Sequence, residues 1–277
     1  MSERVRSNPT QFGEVEIHPR TLLSLAVDGW SCWLEEHLRP VAELMSRYGV
    51  GFPLATAELR FPRPFTFLTA TSFHRETDVV FRRPRNVTVS CDTVFRDAAG
   101  DFAEVRLTAT VSRFTPGTLC GATLGSLPDE LLARLGPDEQ GARRRHSTLA
   151  DRVTHLEATA KRLTPDHHRA VTAHRHLCEP GDQWTFVPLP DLLAEGREAL
   201  LLAEETTAAH LFATLALRHR ELAFDLHQPL GLLETARLTT TAYQDDTGPA
   251  FVHRITSARG EPHALALETF TPGGPPW

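Results

Sequence analysis

The chain has 277 residues, a net charge of −6 and 41% apolar residues, enough for one large core or two of about 130 residues. This acidic balance, with a pI near 6.2, removes the general attraction to nucleic acid and to anionic membrane that a basic domain supplies. No run approaches the roughly 18 apolar residues of a membrane span, and the first twenty residues lack a signal-peptide core, so a cytoplasmic protein is expected.

The first thirteen residues are polar and broken by Pro9 and Gly13, which predicts a loose arm. Gly13 to Ile17 alternates as a short strand. From Thr21 to Met45 the large apolar residues fall at Leu22, Leu23, Ala26, Val27, Trp30, Trp33, Leu34, Leu38, Val41 and Leu44, the spacing of one broad helix face. Pro40 should interrupt that helix, leaving Val41 to Tyr48 as a second piece. The period then changes to two. Ala55 to Phe61, Phe73 to Arg82, Val87 to Arg96 and Phe102 to Phe114 read as consecutive strands of an antiparallel meander.

Residues 118–182 differ in kind and read as a linker with helical patterns at Leu127 to Leu135 and Leu149 to Leu163. It also carries the basic run Arg143-Arg144-Arg145-His146, expected to be a solvated face or helix start, with contact to the phosphate of a cofactor or to an acidic carrier as the alternative. The last third follows the order of the first. Trp184 to Leu189 is read as a strand and Leu192 to Leu222 as a long helix. Strands are expected at Ala223 to Leu226, Leu232 to Gln244, Pro249 to Ala258 and His263 to Phe270. Phe114-Thr115-Pro116-Gly117 closes the first block and Phe270-Thr271-Pro272-Gly273 the second, which points to an internal duplication of 13–117 in 183–273.

One long helix followed by an antiparallel sheet that curls round it resembles the hot-dog fold, and two copies in one chain resemble a double hot-dog protein of the α+β class. Trp30-Ser31-Cys32-Trp33-Leu34-Glu35-Glu36 is similar to the helix interior of thioesterases of the 4-hydroxybenzoyl-CoA type. The stretch Ala55-Thr56-Ala57-Glu58-Leu59-Arg60-Phe61 resembles the same family, over roughly 13–116 by pattern and 183–272 by element order. Where that family carries an acid and a Gly-His-Val-Asn-like stretch before its helix, the chain has His18 to Leu25 with neither. Asp191 followed by Gly196 matches the family's acid-to-glycine interval at the mouth of the second helix. Hydratases of this fold group Asp, Asn and His after the helix, and Asp225-Leu226-His227 lacks the Asn.

Thioester hydrolysis needs a polarised carbonyl and a base or nucleophile. The candidate catalytic residues are Asp191 and Glu195 at the second helix mouth, His18 at the equivalent place in the first copy, and Glu204 and His210 within the second helix. The commoner reading of Asp191 is a helix N-cap after Pro190. Trp30, Trp33 and Phe212 are expected to line an acyl tunnel. Arg82 and Arg83 form a basic edge suited to the phosphates of coenzyme A or a phosphopantetheine arm, or to an ordinary strand surface. His167, His168, His174 and His176 read as part of a linker helix after Pro165 and not of the rigid elements that hold a zinc site with a further ligand, so no metal is expected. Cys32, Cys91, Cys120 and Cys178 show no paired spacing and read as reduced structural thiols. No cofactor is expected beyond coenzyme A or phosphopantetheine as part of the substrate. The leading expectation is a thioesterase for an acyl-CoA or acyl carrier protein. The alternatives are a polyketide-type acyltransferase/decarboxylase with Tyr48 or Cys32 as nucleophile, and a non-catalytic acyl-binding protein. The chain can be complete as a monomer or pair as a homodimer.

Overall fold

The computed structural model describes residues 1–13, 15–68, 71–82, 88–114, 123–135, 147–179, 183–204 and 209–271. In chain order the main elements are β1 (Ser2–Arg6), α1 (Pro19–His37), α2 (Val41–Tyr48), β2 (Leu54–Arg60), β3 (Ser72–Arg82), β4 (Thr88–Asp97) and β5 (Gly100–Thr110). They are followed by α3 (Leu149–Thr159), β6 (His167–Thr172), α4 (Leu189–Ala203), β7 (Arg218–Leu226), β8 (Thr235–Asp245), β9 (Gly248–Ser257) and β10 (Pro262–Thr271). No helix among the described residues is long and apolar enough to cross a membrane.

The helix α1 forms where the apolar spacing places it. Leu22, Leu23, Ala26, Trp30 and Leu34 are buried on one face, and each fully buried Leu stabilises by about 1.5–3 kcal/mol. Pro40 divides α1 from α2 as expected. The strands assemble into one antiparallel sheet in the order β1-β3-β4-β5-β2-β7-β10-β9-β8-β6. That order reads the same from either end: each half is an edge strand, a three-strand meander and a central strand. The halves join where β2 pairs with β7, Ala57 opposite Phe224 and Leu59 opposite Leu222.

Several expectations change. The N-terminal arm is a strand, with Arg4 opposite His74 on β3, whereas Gly13 to Ile17 makes only a bridge between Phe12 and Ile17. The supposed linker supplies β6, in which Ala170 lies opposite Arg237 of β8. Both β1 and β6 are edge strands with mostly exposed side chains, so neither shows the apolar alternation by which a half-buried strand is read. The expected helix over Leu192 to Leu222 ends at Ala203; a 3-10 segment follows at Ala209–Ala216 and Arg218–Leu226 is strand. Pairing on both sides of this central strand overrides the helical leaning of its Leu- and Ala-rich lead-in. Trp184 to Leu189 likewise contains only the two-residue strand Gln183–Trp184 before α4 begins.

Each helix lies on its own half-sheet through a glycine. A Cβ on Gly29 would stand 2.4 Å from Thr77 Oγ1, and one on Gly196 would stand 2.7 Å from Leu238 Cδ2 and 2.9 Å from Thr240 Oγ1. Gly29→Ala is therefore expected to destabilise by roughly 1–3 kcal/mol through overpacking, although alanine is the better helix former; a lowered urea midpoint checks this.

Candidate functional site

The two halves correspond residue by residue. Ile17 N–H donates to Phe65 O at 3.2 Å, and Trp184 N–H to Leu230 O at 2.8 Å. The register slips between Leu54 and Thr56 in β2 and between His219 and Glu221 in β7. Thr77 meets Thr93 at 3.2 Å where Thr240 meets His253 at 3.0 Å. These pairs, with the glycines Gly29 and Gly196, set Trp30 against Arg197, Leu54 against His219, Gln183 against Glu16 and Leu107 against Glu268. Two related clefts result, each bounded by one half's helix and the other half's approach to its helix.

The first cleft is a cavity of 690 Å³. Its first-half wall is mainly apolar: Val27, Trp30 and Leu34 of α1, Val41 and Met45 of α2, and the run from Val50 to Ala55. Most of its polar groups come from the second half: Glu179, Gln183 and Thr185 before α4, His227 and Gln228 after β7, and His263 on β10. Trp184 and Leu189 bring the mouth of α4 to the same space. The indole Nε1 atoms of Trp30 and Trp184 and Nε2 of His263 are buried without a hydrogen-bond partner among the described residues. Glu179 is exposed as a residue, yet desolvation of its carboxyl raises its pKa above the ordinary value.

In the second cleft the equivalent positions hold charged side chains bonded to one another. Glu16 Oε1 accepts from the backbone N–H of His219 at 2.9 Å and lies 2.6 Å from its Nδ1. Glu268 lies 3.3 Å from His219 Nε2 and 3.1 Å from His253 Nε2, and accepts from Arg197 at 2.6 Å. Burial by itself would push the His219 pKa down, but hydrogen bonds to Glu16 and Glu268 reverse this and raise it to about 9. For Glu268 desolvation acts upward, and Arg197 with the two histidines holds the carboxyl well below its usual range.

The residues singled out from the sequence scatter around this site. Trp30 lines the cavity, whereas Trp33 stacks on His37 at 4.2 Å outside the cavity lining. Phe212 packs against Leu200, Phe251 and their neighbours. Asp191 sits in the first turn of α4 but turns to Arg20 of α1 at 2.9 Å, and the wall of this cavity does not include it. Glu195 pairs with Arg169 of the edge strand β6 at 2.7 Å, and Asp28, which holds the matching place on α1, pairs with Arg75 of β3 at 2.6 Å. His18 is an exposed residue at the start of α1 with no side-chain capping bond. Glu204 follows the last turn of α4. Arg83, the side chains of Arg82 and His210, Pro116-Gly117, Pro272-Gly273 and the Arg143–His146 run lie outside the described residues. Tyr48 and Cys32 do not line the cavity, and burial pushes the Cys32 thiol up. His167 and His168 lie on β6, not in a linker helix, and among the described residues no three His, Cys, Asp or Glu side chains are placed to hold a metal ion. Sequence reading passed over Glu179, Gln183, Trp184 and His263. Its one pointer was Asp225-Leu226-His227, set aside for want of an Asn.

Solved structures share this architecture along the whole chain. A structure described as an oleoyl thioesterase from Lactobacillus plantarum matches with a TM-score of 0.68 at 12% identity, over 100% of this chain and 96% of that one. The 12:0-ACP thioesterase from Umbellularia californica matches with a TM-score of 0.68 at 10% identity, over 99% and 94%. The fold is a double hot-dog. An acyl-ACP thioesterase from Bacteroides thetaiotaomicron shares this double hot-dog at a TM-score of 0.64 and 10% identity, over 98% and 97%. No protein-family model and no curated protein sequence matches the chain.

The charged cluster makes stability depend on pH at both ends. The part due to His219 is complete below its ordinary value of 6.5 and is lost as pH rises through about 9. The part due to Glu268 is complete above 4.5 and is lost as pH falls through its depressed value. Denaturation midpoints of the native chain should therefore drop between pH 6 and 9.5, and His219→Leu should flatten that drop. Glu268→Ala leaves Arg197 buried without its partner and should cost roughly 3–5 kcal/mol near neutral pH.

Proposed function

We propose that the chain is an acyl thioesterase, hydrolysing an acyl group carried on coenzyme A or on the phosphopantetheine arm of an acyl carrier protein. The observation that carries this reading is the cavity at the junction of the two halves, apolar along α1 and polar at the approach to α4. An acyl chain fits the wall of Val27, Trp30, Leu34 and Met45, where burying each CH₂ contributes about 0.8 kcal/mol. The thioester then lies among the polar groups. Trp184 Nε1–H and the Gln183 amide are donors that can polarise its carbonyl, and water is the attacking group. The likeness to structures described as acyl-ACP thioesterases agrees with this substrate class.

The test is thiol release from a series of acyl-CoA and acyl carrier protein thioesters of increasing chain length. Turnover with a chain-length optimum is expected. Trp30→Ala should lower kcat/KM for the optimal chain by about 10- to 200-fold, equivalent to roughly 1–3 kcal/mol of pocket contact. Acyl binding without thiol release would overturn hydrolysis, and acyl transfer to a carrier without free acid would move the chain to the acyltransferases.

A further inference from the structure

We propose that His263 is the general base of the open cleft, taking a proton from the attacking water at Nε2. This rests on the thioesterase reading and adds the group that performs its first chemical step.

The internal duplication singles this residue out. Strand β4 pairs with β5 through Phe95 opposite Ala103 and then Arg96 opposite Asp101, so the residue skipped at the slip is Phe102. Strand β9 pairs with β10 through Ile255 opposite Ala264 and then Thr256 opposite Pro262, so the skipped residue is His263. The two side chains hold one structural position. Phe102 there is 1% exposed and stacks on Phe65, ring centroids 3.8 Å apart. The fold is thus satisfied by a buried hydrocarbon ring. Replacing it with imidazole introduces two nitrogens, each of which must find a partner or carry a desolvation cost of about 1–3 kcal/mol.

One nitrogen is paired and the other is not. His263 Nδ1 lies 3.2 Å from the backbone oxygen of Gln228. A carbonyl only accepts, so Nδ1 carries the hydrogen and Nε2 of the neutral ring keeps its lone pair. Nε2 is buried and accepts no hydrogen bond among the described residues, and His263 is 4% exposed on the wall of the cavity. The backbone beside the ring is also tied down: His227 N–H donates to the His263 carbonyl at 2.9 Å, and in the same loop Gly231 N–H donates to Glu234 Oε2 at 2.9 Å. The other carboxylate oxygen of Glu234 stands 3.9 Å from Nε2, beyond hydrogen-bond reach.

The step balances without any further reactant. Water oxygen forms a bond to the thioester carbonyl carbon while one of its protons passes to Nε2. The tetrahedral intermediate then breaks its C–S bond, and the imidazolium returns the proton to the departing sulfur, giving one carboxylic acid and one free thiol. The competing base is Glu179, whose carboxyl shares the cavity.

Full-length native protein, His263→Phe, His263→Ala and Glu179→Gln are compared on the best thioester. The phenylalanine is the residue the first copy uses at this position, so folding should be kept. For His263→Phe, kcat is expected to fall about 10²- to 10⁴-fold, while the urea midpoint and affinity for a non-hydrolysable acyl-CoA thioether stay near native. Added imidazole should restore part of the rate to His263→Ala, a rescue that a packing role would not produce. If His263→Phe keeps kcat within about threefold of native, or if imidazole leaves His263→Ala unchanged while Glu179→Gln abolishes turnover, His263 is not the base. A native chain that releases no thiol overturns the thioesterase reading itself.

Discussion

The structure depends on one strand pair. Where β2 lies antiparallel to β7, with Glu58 opposite Ala223 and Leu59 opposite Leu222, two half-sheets become one and each helix is brought to the other half's loops. Backbone hydrogen bonding at this seam sets the position of both clefts. The side chains that distinguish the clefts are thereby placed by geometry they did not have to create.

Within that frame the two clefts have diverged. One keeps an apolar wall and collects polar groups from 179–189, 227–228 and His263. The other sets Arg197 and His219 where the first sets Trp30 and Leu54, and adds Glu268 and Glu16 to complete the pairing. A buried ion cluster of this kind yields little net stability over well-packed apolar residues, because desolvation consumes most of the attraction, yet losing one member is costly. It therefore holds the segment around Glu16 firmly to the second half. A symmetric homodimer must place the same residue at both clefts, and a duplicated chain is free of that rule.

The helix α1, its break at Pro40 and the two meanders were legible in the sequence because half-buried elements carry strong periodicity of 3.6 or 2. The edge strands were not, since a strand with polar residues on both faces has no period to find. The seam strand was obscured by the Leu-rich run leading into it. The site was less legible than the fold. Asp191 and Glu195 stood at a helix mouth in sequence, but their charges are answered by Arg20 and Arg169, which lie 171 and 26 positions away along the chain. His263 sits in an alternating strand as one polar residue among several. Only the register slip it shares with Phe102, and the carbonyl of Gln228 beside it, set it apart.

The sheet ends at both margins in chain that neighbouring sheets would find hard to extend. Ser2–Arg6 and His167–Thr172 present Glu3, Arg4, Arg6, His168 and Arg169 along their lengths, and such charges oppose strand addition by a second molecule. The polar character that hid these strands from periodicity is thus what keeps a sheet of ten consecutive strands from growing further by edge-to-edge aggregation.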